Sequence, residues 1–404
     1  MQRVRQYLDT LCAAGLHGRG AAFDGQKNAA GYLSNRFREI GLLPISNNYF
    51  QNFNYDINTF SGTIFLQTNN TTLVPGKDYI VESASPSGKE TFKTILLDTL
   101  IFSSKKYQKK FLALDIKKTA LVYDELFERK LKKDSTKHIE KKLEKASCII
   151  KLKDKKLTMG LSGEQKKTVV FEVLKDKFNA KTKTISYEIN AELIKKYKAQ
   201  NVIGYVKGAV VPDSFLFITA HYDHLGTLGS SIFFPGANDN ASGVSMLLEL
   251  AWYFKEHPQR YSIVFIAFGA EEAGLLGSKY FTENPLVPLA KIRFLVNLDL
   301  MGTGGDGMMV VNGSVFPKEF LLLTKINDEK IHLTNLKKRG KAANSDHYYF
   351  SEKGVPAFFF YTLGGVTAYH DIFDIPETLP LTKFKEAHNL IIEFIAGLTK
   401  LGEK

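Results

Sequence analysis

Cysteine is almost missing from this sequence. Cys12 and Cys148 are the only two in 404 residues, and neither lies in a CxxC. That excludes a disulfide framework, a thiolate metal site and a CxxC redox centre, and both are read as free thiols. Long hydrophobic runs are missing too. Tyr261 to Ala270 is among the longest, well short of the ~20 residues that span a bilayer, so no transmembrane segment is expected. The opening MQRVRQYLDTLCAAGLHGRG lacks the apolar h-region of a secretory signal. Two readings of the compartment follow: a cytoplasmic protein, or an exported one whose signal has been removed. Internal repeats and low-complexity tracts are absent as well.

What is present is an ordinary globular composition, 44% hydrophobic and 24% charged, with an uneven charge. Residues 101–200 hold 27 of the 54 Lys+Arg and 13 of the 42 Asp+Glu, a net +14, while the rest of the chain carries −2. At ~100–200 residues per domain the length fits two domains or one with an insertion, and the charge step marks the insertion. Within it, short apolar runs (LALDI, TALVYD, CIIKL, KTVVFEV, TISYEI) alternate with lysine clusters. That predicts a small β-rich domain with lysines on its outer faces. Arg129 is its only arginine, and no basic–aromatic motif such as an RNP1 sequence occurs. Nucleic acid is therefore not expected as a partner. The expected boundaries are 59–197 for the insertion, with 1–58 and 198–404 forming the other domain. Because the module sits between a strand and the core, excision of 60–196 is expected to leave a folded core.

Residues 26–41 space Ala29, Ala30, Leu33, Phe37 and Ile40 as one helix face, closed by Gly41. After Ala199 the pattern is α/β. FLFITA, SIVFIAFG, IRFLVNLDL, Met308–Val311 and Ala357–Tyr361 read as buried strands. Helices are predicted over 241–257 and 381–398. Buried strands alternating with helices predict a mainly parallel sheet between helix layers.

Ligands bind beyond the carboxyl ends of such strands, so the residues that follow each strand carry the functional reading. His221 and Asp223 follow FLFITA, Glu271 and Glu272 follow SIVFIAFG, Asp299 closes IRFLVNLDL, and Tyr369-His370 follow the AFFFYT strand. Asp239 lies just ahead of a helix. Taken singly, each has a plainer reading: Asp239 as a helix cap, His370 as a surface histidine, the glutamate pair as a solvated loop. Asp299 is the exception, because an unpaired carboxylate in an apolar strand is costly. Together, imidazole and carboxylate groups at one sheet edge suit zinc. Two ions sharing one carboxylate need five ligand residues, and His221, Asp239, Glu272, Asp299 and His370 make that number. Glu271 is then free to act as general base. Asp223, two residues past His221, is placed to orient the imidazole. His224 and His347 are placed near the site without a ligand role.

The stretches TAHYDHLG, PGANDNASG, AFGAEEAGLLGS, NLDLMG and YHDIFDIPETL, with NVIGYVKG and LHGRGAAFDGQKNAAGYLSNRFREIGLLP, resemble the zinc aminopeptidases with a co-catalytic metal pair. Glutamate carboxypeptidase, glutaminyl cyclase and transferrin receptor are relatives of that family. The resemblance covers about residues 1–58 and 198–404. It implies an α/β fold with a mainly parallel mixed sheet, interrupted by a protease-associated-like domain. PGKDY is similar to the opening of that inserted domain, whereas its central glycine-rich stretches are missing here. The family's closing YHTPSDTP is YHDIFDIP in this chain, which keeps Asp374 and loses the threonine and serine.

The resemblance implies that His221, Asp239 and Asp299 hold one zinc and that Asp239, Glu272 and His370 hold the other. Glu271 is implied as base, Asp223 as orienting residue, and Tyr369 as a donor to the tetrahedral oxyanion. The implied activity is removal of the amino-terminal residue from peptides by a metal-activated water, in an exported protein. A glutaminyl cyclase with one zinc, and a non-catalytic binding protein on the same fold, are the alternatives.

Overall fold

The computed structural model describes residues 1–401. An eight-stranded mixed sheet runs in the order Phe50–Thr59, Glu192–Val206, Tyr261–Phe268, Val211–His221, Ile292–Leu298, Ala357–Thr362, Met308–Val311, Leu336–Arg339. Its four central strands, Tyr261–Phe268 to Ala357–Thr362, are parallel neighbours. The carboxyl ends of those four therefore open on one edge.

Successive side chains of these strands point to opposite faces. Leu216, Ile218 and Ala220 pack under the helices Gln2–Leu11, Gly25–Ile40, Gly243–Glu256 and Phe384–Leu401. Phe217, Val264 and Ile266 join Phe281 and Phe350 on the other face, from the helices Leu276–Glu283 and His347–Glu352. A strand with both faces covered must be apolar throughout, as FLFITA and SIVFIAF are. The helix Gly25–Ile40 ends on Gly41 at φ 82°, a left-handed turn that glycine adopts without a Cβ penalty.

Residues 64–189 form a second eight-stranded sheet, ordered Thr71–Thr72, Ile64–Thr68, Thr184–Ile189, Gly88–Leu96, Thr119–Asp124, Cys148–Lys153, Val169–Leu174, Tyr79–Val81. The runs TALVYD, CIIKL, KTVVFEV and TISYEI are strands as expected, but LALDI closes the helix Lys105–Ala113. Three more helices, Leu100–Ser103, Glu125–Lys133 and His138–Leu143, accompany it. Part of the lysine clustering falls on these helices, at 105–110, 130–133 and 141–142. Their apolar residues Ile101, Phe111, Phe127, Ile139 and Leu143 bury against Leu121, Tyr123 and Ile149 of the sheet. A strand-and-loop reading misses such short helices because each offers only one or two core positions.

The second sheet's core takes in residues that follow the strand Val211–His221 of the first. Leu225, Leu228 and Phe234 lie in the same buried cluster as Leu66, Tyr79, Ile150 and Phe171. Excision of 60–196 would uncover them, which speaks against the expectation that the remainder stands alone. Cys12 and Cys148 are buried free thiols. Among the described residues no helix is long and apolar enough to cross a membrane.

Candidate metal centre

The five candidate ligands converge at the carboxyl edge of the first sheet. His221 ends the strand Val211–His221, and Asp299 lies one residue beyond Ile292–Leu298. Asp239 sits in the turn Ala237–Ser242, whose Asp239–Asn240 peptide is cis. His221 Nε2 lies 3.3 Å from Asp239 Oδ1 and 3.4 Å from Asp299 Oδ2. His370 Nε2 lies 3.0 Å from Asp239 Oδ2 and 3.1 Å from Glu272 Oε2. Asp239 thus offers one oxygen to each histidine. Glu271 Oε2 stands 4.0 Å from His221 Nε2. Tyr369 is 43% exposed, its ring stacked on His370 at 4.0 Å.

Asp223 differs from expectation. Its carboxylate is 3.8 Å from His221 Nδ1, and the imidazole is instead oriented by the Asp223 main-chain oxygen at 3.2 Å. The carboxylate accepts the backbone N–H groups of Glu271 and Glu272 at 3.1 and 3.2 Å. One residue therefore positions the histidine through its backbone and the glutamate pair through its side chain.

His224 comes closer than expected, with Nδ1 at 2.7 Å from Glu272 Oε1. Donor atoms of His224, Asp239 and Glu272 lie mutually within 4.8 Å, as do those of His221, Glu271 and Asp299. His347 packs on the Phe359 ring at 5.3 Å, and burial pushes it down to about 4, so it is a neutral packing group. Its neighbour Asp346, fully buried, was missed by sequence reasoning. Burial raises it to about 6 against the pull of His221. The adjoining Ser345 hydroxyl accepts from Asn297 Nδ2 at 2.8 Å and faces Asp299 Oδ2 at 3.5 Å. The signal available was a polar Ser345-Asp346 pair ahead of the aromatic run His347-Tyr348-Tyr349-Phe350.

Arg19 was missed as well. Its guanidinium is fully buried and donates to the main-chain oxygens of Tyr222, Leu11, Pro235, Gly236 and Asp239 at 2.6 to 3.3 Å. From the other side, Asp374 accepts the N–H groups of Asn238 and Asp239 at 2.9 and 3.0 Å. The Asp239 turn is thus held at both its carbonyl and its amide. Arg19→Lys keeps the charge but loses the planar fork, leaving several buried carbonyls unpaired. The expected loss is on the order of 3 kcal/mol, read as a lower urea midpoint at unchanged m-value.

The electrostatics of the cluster call for cations. Burial opposes the charge on Asp239, yet hydrogen bonds from His221 and His370 hold it well below the usual range. Burial and the Asp239 charge raise Glu272, but His224 and His370 bring it to about 2. Burial raises Glu271 and Asp299 above their ordinary values, and Asp223 to about 7. Burial lowers His370, but Asp239 and Glu272 outweigh it and lift the imidazole to about 11. Asp299 Oδ1 is buried without a hydrogen-bond partner. Buried carboxylates in excess of imidazoles, one with an orphaned oxygen, fit divalent metal ions.

Residues 201–395 match Peptidase family M28. Aminopeptidase YwaD of Bacillus subtilis is 32% identical over 295 residues, 69% of this chain and 61% of the relative, so the match spans under two thirds of that protein. A probable zinc metalloprotease of Pyricularia oryzae is 35% identical over 114 residues, 27% of this chain and 23% of its own. In structure, the zinc aminopeptidase BSAP from Bacillus subtilis has a TM-score of 0.73 at 22% identity, covering 98% of this chain and 94% of that one. A peptidase M28 precursor from Shewanella amazonensis has a TM-score of 0.71 at 15% identity, covering 98% and 93%. These two likenesses establish the shared fold. The fold and the matching sequence stretch agree: residues 201–395, which contain all of the converging imidazole and carboxylate groups, are similar to peptidase family M28.

Proposed function

We propose that this protein is a dinuclear zinc exopeptidase, an aminopeptidase acting on peptides. Its catalytic unit would be residues 1–59 and 192–404, since the strand Glu192–Val206 pairs with Phe50–Thr59 in the first sheet, with 60–191 inserted in place of the expected 59–197. The observation that carries the reading is Asp239, whose two carboxylate oxygens face His221 and His370 at 3.3 and 3.0 Å. One zinc would be held by His221, Asp239 and Asp299, the other by Asp239, Glu272 and His370. When bound, such ions polarise the scissile carbonyl and lower the pKa of water.

The chain's own groups supply the proton traffic. Glu271 takes the proton of the attacking water and returns it to the leaving amine. Burial raises Glu271, the direction needed by a base that must hold a proton between two steps. The Asp223 carboxylate fixes the backbone of Glu271 and Glu272, so the base is aimed by its main chain. Tyr369 is raised by burial and by the surrounding carboxylates, so its hydroxyl stays protonated and donates to the oxyanion. The free α-amine of the substrate would sit near the second ion and the nearby carboxylates, which would limit cleavage to one residue.

A panel of aminoacyl-nitroanilides, amino-blocked peptides and glutaminyl peptides tests this, run with and without a chelator. Hydrolysis of the free-amine substrates alone, abolished by chelation and restored by zinc, is expected. Cyclisation of glutaminyl peptides with a single tight zinc would overturn it in favour of a cyclase.

A further inference from the structure

The inserted segment reaches into the metal centre. After the strand Cys148–Lys153, residues 155–161 cross to the turn that carries Tyr369 and His370. Met159 N–H donates to the His370 main-chain oxygen at 2.9 Å, and His370 Nδ1 donates to the Met159 carbonyl at 3.1 Å. Three residues earlier, Lys156 Nζ donates to Thr367 O at 2.9 Å and pairs with Asp371 Oδ2 at 3.1 Å. The same ammonium sits 5.9 Å from the centre of the Tyr369 ring. The strap grips the turn on both sides of His370.

It is a fixed piece rather than a swinging one. Leu157 and Met159 are buried in the core of the second sheet. Downstream, Asn58 N–H donates to Ser162 O at 2.7 Å, and Gln165 Nε2 donates to Asn58 Oδ1 at 2.7 Å. His370 itself has φ 53°, the left-handed region that a non-glycine residue keeps only where its surroundings enforce it. The two bonds to Met159 are part of that enforcement.

We propose that the 155–161 strap is a positioning element for His370, so that metal binding on the His370 side of the site depends on the inserted segment. A main-chain carbonyl only accepts, so Met159 fixes the hydrogen on Nδ1 and leaves the Nε2 lone pair facing Asp239 and Glu272. Lys156 holds the turn in register by tying Thr367 and Asp371 to the strap. This rests on the reading of His370 as a zinc ligand. It assigns the insert a role in building the site.

The test uses the full chain with Lys156→Met, Lys156→Arg and Met159→Pro, the last removing the N–H that bonds His370. Three measurements are made: zinc affinity by chelator competition, the visible spectrum of the cobalt-loaded protein, and amide hydrogen exchange over 366–373. Loss of an outer hydrogen-bond partner typically costs ~10–100-fold in metal affinity. Lys156→Met and Met159→Pro are expected to weaken one of the two ions by that factor, alter the cobalt spectrum and speed exchange over 366–373. The other ion should bind as before, and Lys156→Arg should restore most of the loss. Two ions bound as in the parent by both Lys156→Met and Met159→Pro would overturn the strap and leave the zinc reading standing. A parent that binds no zinc, or His370→Ala with undiminished zinc, would overturn both.

Discussion

Glu271→Gln should lower kcat by ~10²–10⁴-fold, the range for loss of a general base, while zinc content stays at the parent level. The substitution keeps size and removes the ability to take a proton. Backbone geometry should survive, because the Asp223 carboxylate bonds the Glu271 and Glu272 N–H groups, which the substitution leaves in place. The neighbouring Glu272→Gln should fail differently. Glu272 is held by His224 at 2.7 Å and His370 at 3.1 Å, so losing its charge removes a ligand and should cost one ion per chain. Steady-state kinetics with metal analysis on the same preparations separates the two. Metal lost from Glu271→Gln and kept by Glu272→Gln would exchange their roles.

Asp239→Asn should have the other large effect: both ions weaken, and peptidase activity falls to that of the chelated enzyme. The carboxylate lies between the histidines with one oxygen toward each, and no other side chain in the cluster pairs with both. Its turn should still form, since Arg19 holds the Asp239 carbonyl and Asp374 its N–H. The defect should therefore appear in metal content and leave thermal stability of the metal-free protein little changed. Asp299→Asn is the control. It touches only the His221 side and should leave one ion bound through Asp239, Glu272 and His370. Metal analysis after dialysis reads both. One tight ion retained by Asp239→Asn would make Asp239 a private ligand and end the shared-carboxylate reading.

Much of the framework was legible in the sequence, for a definite reason. Strands covered on both faces must be apolar along their length, so FLFITA, SIVFIAFG and IRFLVNLDL announce themselves, and parallel neighbours put their carboxyl ends on one edge. Polar residues that break those runs at their ends, His221, Glu271, Glu272 and Asp299, must then meet. Local spacing therefore carries a non-local conclusion. The helices of residues 100–145 were missed because each packs through only one or two apolar residues, too few to set a period.

What only the tertiary structure decided are contacts between segments far apart in the chain, which leave no periodic trace. Asp223 orients His221 with its backbone because its carboxylate is taken by two amides that follow a different strand. Arg19 clamps the Asp239 turn across more than two hundred residues, through carbonyls that every residue type possesses. The Met159 carbonyl that meets His370 is equally anonymous in sequence. Side-chain chemistry and strand periodicity are written residue by residue. Main-chain acceptors are the same at every position, so which of them faces a histidine is decided only when the chain folds and its distant segments meet.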